Sequence, residues 1–97
     1  MEIKLLINNK EKTFVAGRPM GRIVRNAIEI MGKIDLNNIR GEELDMIIDF
    51  TVDAYGKQFT RDQVYDGLYA DELLSEMLKT ITAITGATVE KLETKNE

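Results

Sequence analysis

The side chains best placed to do chemistry are two carboxylate pairs. Asp49/Asp53 and Asp62/Asp66 each sit at i, i+4, a spacing that puts both oxygens on one helical face, as an acid/base pair or an oxygen-ligand metal site requires. Their surroundings argue for a solvated helix face instead. No Asp-x-Asp-x-Asp-Gly loop accompanies them, and histidine is absent, which removes the commonest general base and neutral metal ligand. Ser75 is the only serine and has no histidine to activate it. With no cysteine there is neither a thiolate site nor a disulfide framework. Gly17-Arg-Pro-Met-Gly21 holds two glycines but not the spacing or the lysine of a phosphate-cradling loop. The chain reads as non-enzymatic, without catalytic residues, metal or cofactor.

Binding chemistry is better represented. Arg18, Arg22 and Arg25 share one helical flank, the only candidate for phosphate contact. A formal net charge of −4 and the lack of interleaved aromatics argue against a nucleic-acid binder. A small regulatory DNA-binding module using this helix stays open as an alternative. Charge is polarised along the chain: Arg18, Arg22, Arg25, Lys33 and Arg40 precede a strongly acidic stretch from 41 to 76. A basic helix lying beside acidic ones in one monomer explains this. Self-association between Arg18, Arg22, Arg25 and Asp49, Asp53 of another copy explains it too.

These residues must be positioned by a small set of elements. At 97 residues the chain makes one domain with a modest core. No apolar run approaches the roughly 20 residues of a membrane span, and the N-terminus lacks a secretory signal pattern. The expected class is α+β, mainly α: an N-terminal hairpin packed on a bundle of three to four helices within residues 1–86. Ile3, Leu5 and Ile7 alternate with polar neighbours, and Asn8-Asn9-Lys10 supplies the turn of a hairpin over 2–16. With Asn9-Lys10 as the loop, Leu5 faces Phe14, and Leu6 and Val15 lie on the opposite face.

Gly17 and Pro19 end the hairpin. Met20, Ile23, Val24, Ala27, Ile28 and Met31 then form one stripe of a helix over about 20–33. A second helix, 42–55, carries two apolar stripes, one with Met46 and Phe50, and closes at Gly56. Thr60 and Gln63 make a capping box for a short helix over 60–66, with Phe59 as the staple. A last helix, 71–85, with Met77 and Leu78 on its apolar side, is expected to stop at Gly86, leaving 87–97 as a mobile charged tail. Tyr65 and Tyr69 flank the Asp66-Gly67 break, either sealing that corner or serving as binding anchors.

The order of elements, with Phe59-Thr-x-x-Gln-x-Tyr-Asp-Gly-Leu68 at its centre, resembles the small tail assembly chaperones of long flexible-tailed phages and related prophages of Gram-positive bacteria. The likeness spans 2–86. It implies a helical, non-enzymatic protein that binds and solubilises the tape measure protein until tail tube subunits polymerise around it. It also implies action in the host cytoplasm, absence from the finished particle, and in many relatives a frameshifted longer form that recruits the tail tube protein. A homo-oligomer is compatible with it; nucleic acid and membrane partners are not implied. Client-binding candidates are Leu6, Val15, Met46, Phe50, Tyr65, Tyr69 and Met77. A head–tail adaptor is the alternative within the same setting.

Overall fold

In the computed structural model, strands β1 (Glu2–Ile7) and β2 (Lys10–Val15) form an antiparallel hairpin, followed by helices α1 (Gly21–Lys33), α2 (Gly41–Ala54), α3 (Arg61–Gly67) and α4 (Ala70–Asn96). The structure describes the backbone of residues 1–35 and 37–96, and side chains to Gly86. The architecture is α+β and mainly helical.

The hairpin turns on Asn8 and Asn9, whose φ values of 54° and 64° are both positive. That conformation belongs to a two-residue primed turn, and asparagine tolerates it better than lysine does. Register follows from the turn: Ile7 pairs with Lys10, Leu5 with Lys12 and Ile3 with Phe14. The expected Leu5–Phe14 pairing is therefore off by two residues. A two-residue slip preserves the faces, so Ile3, Leu5 and Phe14 still face inward and are buried.

The core lies between this sheet face and the helices. Ile47, Ile48 and Met77 are fully buried at its centre, with Val64 of α3 beside them. Two strands cannot stand alone in water; here the end of α3 lies on β1, where a Cβ at Gly67 would meet Leu5 and the backbone of Leu6. The Phe59 ring packs on Phe14 and Tyr55 with centroids 4.9 and 5.5 Å away, tying the hairpin to the α2–α3 connection.

Helix ends follow local chemistry. At the close of α2, Gly56 takes φ 69°; its N–H bonds to the Asp53 carbonyl and the Lys57 N–H to that of Val52, the paired bonds of a Schellman ending. The Thr60 hydroxyl accepts from the Gln63 N–H at 3.1 Å while the Gln63 side chain accepts from the Thr60 N–H at 2.9 Å, which starts α3.

Two expectations change. Gly86 does not end α4: it lacks the left-handed φ of a cap, and the helical backbone continues to Asn96. Ala87, Glu90, Lys91 and Leu92 are good helix formers, enough to carry one glycine. The expected mobile tail falls on residues whose side chains lie outside the described set. In α1 the core residues are Ala27 and Ile30, whereas Ile28 and Met31 are 60% and 57% exposed. The Ile23/Ala27/Ile30 stripe turns inward with Val24 packed against the core beside it, while Ile28 and Met31 stay outside.

Candidate functional site

Helix α2 packs between neighbours that use different faces of it, and this leaves a groove along its seam with α1. At one end Phe50 and Ile30 form a floor, with Met46 at the rim and Asp49, Asp53 and Glu29 on the walls; this end encloses about 300 Å³. At the other end Arg18, Met20, Arg22 and Ile23 face Asp53, Tyr55 and Gln58 around about 490 Å³. Asp53 borders both ends, so the two lie end to end along the seam. Its length follows that of α1, about 20 Å at 1.5 Å per residue.

Charge along the groove is only partly compensated. Arg61 grips Asp49 in a bidentate pair, Nε–Oδ1 2.8 Å and Nη2–Oδ2 2.5 Å, and this holds the Asp49 carboxyl below its ordinary value. Glu29 bonds to Lys33 and Arg25 at 2.9 and 2.8 Å, and its pKa is lowered by those cations, Lys33 foremost. The side chains of Arg18, Arg22 and Asp53 make no ion pair or hydrogen bond among the described residues.

A second cleft lies between the hairpin and α4. Leu6, Leu68 and Tyr69 line it with Lys4, Glu72 and Glu76. Tyr69 is 64% exposed there. A shallow apolar furrow between α1 and α4 is lined by Met31, Ile34, Leu78 and Ile81, close in sequence to the exposed Ile28.

The anticipated binding residues are thus divided. Met46, Phe50, Asp49 and Asp53 share the α1/α2 groove, whose far end carries Arg18 and Arg22. Leu6 and Tyr69 share the hairpin cleft. Val15 is exposed and lines neither; its carbonyl accepts a bond from the Gln58 amide at 2.9 Å. Phe50 is only 3% exposed, and Met77 is fully buried, reachable only if the bundle opens. Tyr65 is half-buried and donates a short hydrogen bond to Asp45; burial first, then that carboxylate, push its hydroxyl up to about 12. Arg25 is held by Glu29 on the solvent side of α1.

Exposed large apolar groups outside the expected set are Met1, Met20, Ile28, Met31 and Leu74. The sequence held a signal for those on α1, since its apolar positions span too wide an arc for one buried stripe. Asp62 and Asp66 are exposed. No group of three or more potential ligands that could hold a metal occurs among the described residues, nor any helix long and apolar enough to cross a membrane. What the clefts offer is exposed apolar side chains beside charges that are only partly paired.

A family model described as phage tail chaperone protein matches residues 1–97. No curated protein matches the chain. No solved structure matches it either.

Proposed function

The chain belongs to the phage tail chaperone family, and from that premise we propose that it binds the tape measure protein and keeps it soluble until tail tube subunits polymerise around it. Membership carries a role in tail assembly, exercised by binding tail proteins. The observation that supports the finer reading is the pair of exposed methionines bordering the α1/α2 groove, Met20 at 76% and Met46 at 38% exposure. A long helical client that displays apolar stripes needs such surfaces to cover it. Methionine suits the task because its flexible side chain adapts to varied partners.

Copies arrayed along one client gain from lateral contacts between oppositely charged faces, each weak enough for tube subunits to displace. The work takes place in the host cytoplasm, with the chaperone left out of the finished tail, and a longer form made by frameshifting would recruit the tube protein.

Co-expression with the tape measure protein of the same tail gene cluster tests this. The chaperone is expected to co-purify with it and to raise its soluble yield; a tape measure protein equally soluble alone, with no chaperone attached, would sink the reading. Sedimentation of the free chaperone at low and high salt separates salt-sensitive self-association from a monomer with two charged sides.

A further inference from the structure

We infer that the α1/α2 groove is the seat of the client, and that it takes an amphipathic helix whose apolar stripe lies on Met46 and Phe50 and whose acidic residues meet Arg18 and Arg22. This rests on the reading of the protein as a tape measure chaperone.

The charges select the occupant. Arg18 and Arg22 stand unpaired at one end of the groove, and Asp53 stands unpaired where the two ends join. A helix that satisfies all three carries acid at one end and a base farther along the same face. Length agrees, since about 20 Å accommodates three to four turns. The floor is closed by Phe50 and Ile30, so the occupant lies across the seam without entering the core. Met46, 38% exposed, and Met20 border the two ends, which lets one groove accept successive stripes of different sequence.

A second copy of this chain fits less well. Its exposed apolar strip, Met20/Ile28/Met31, runs along the helix that bears Arg22 and Arg25 and would set cation against cation. Its acidic corner at Asp66, Asp71 and Glu72 offers only Tyr69 and Leu74 as exposed large apolar groups.

Fluorescently labelled helical peptides tiled along the tape measure protein, titrated with the full chain, test the assignment. Tight-binding peptides are expected to carry the acid–base pattern. Met46→Glu and Arg22→Glu should each weaken them about tenfold, the cost of one good anchor, while Ile28→Glu on the neighbouring strip stays within about twofold. Lysine in place of the peptide's acid should weaken binding to the wild type and restore it to Arg22→Glu. If the wild type binds peptides and both groove variants match it, the groove assignment is overturned while the chaperone reading stands. If no peptide binds the wild type, both fail. A wild-type dimer, broken by Met46→Glu without peptide, would assign the groove to a second copy and overturn the proposal.

Discussion

A Cβ placed on Gly67 would lie 3.0 Å from the Cβ of Leu5, with the carbonyl oxygen and amide nitrogen of Leu6 at 3.1 and 3.2 Å. The last turn of α3 and the strand β1 meet at a separation that leaves an added Cβ no room unless the neighbours give way. The obstacle is largely backbone, which cannot rotate away. Gly67→Ala is expected to push α3 off the hairpin and destabilise the fold by about 1–3 kcal/mol, the range for forced overpacking. Urea denaturation measures it, and an unchanged midpoint would show that the interface yields.

Gly86 presents the opposite case. It lies within α4 with no positive φ, and an added Cβ meets nothing within 4 Å. Gly86→Ala should raise helix content and stability by about 0.5–1 kcal/mol, seen as a higher thermal midpoint by circular dichroism.

Phe59 links β2 to the α2–α3 connection through its contacts with Phe14 and Tyr55 and is 3% exposed. Truncation to alanine is expected to cost about 3–5 kcal/mol. Against a total stability of about 5–15 kcal/mol, that is enough to deplete soluble protein in cells. Val15→Thr, at an exposed site, should change stability by less than about 0.5 kcal/mol.

The Asp49–Arg61 pair sets a pH signature. Because Arg61 lowers the Asp49 pKa from its ordinary 3.8, the folded state releases the proton more readily than the unfolded one. The stabilisation is complete above 3.8 and disappears as pH falls through the lower folded value. Both side chains are about half exposed, so solvent screens the pair and its contribution is small. Asp49→Asn should therefore be slightly less stable than the wild type at neutral pH and equal to it in strong acid, read from paired melts.

Tyr65 gives the alkaline counterpart. Its hydroxyl is pushed from 10.0 up to about 12, so the unfolded chain loses that proton first. Stability held below pH 10 should fall as pH rises toward 12. Tyr65→Phe should remove its share of this decline, and should cost about 1 kcal/mol at neutral pH for the lost bond to Asp45. Phenolate absorbance tracks the titration.

Much of the fold is legible in the chain because its signals are local. Thr60 and Gln63 are three residues apart and specify their own cap; Gly56 closes α2 by a conformation other residues resist; Asn8-Asn9 dictates the turn. The hairpin register was misread because the choice between Asn8-Asn9 and Asn9-Lys10 depends on which residues accept positive φ, a difference of small energy. The end of α4 was misread because one glycine is a weak stop when good helix formers follow.

The sequence by itself determined the absence of histidine and cysteine chemistry, the order of elements, and the motif from Phe59 to Leu68 that carries the family likeness. In the structure that motif proves to be a packing device: a buried ring on Phe14 and Tyr55, a cap, a tethered tyrosine and a close-approach glycine. Only the tertiary structure decided which apolar residues face water. Periodicity gives the angle between side chains on one helix but not the direction in which the helix is turned. Packing of α1 against α2 and α4 buried Ile30 and left Ile28 and Met31 outside. That packing also buried Met77 and brought Met46, Asp53, Arg18 and Arg22 to one groove, while the packing of α3 on α2 tied Asp49 to Arg61, since such contacts join residues that sequence alone leaves apart.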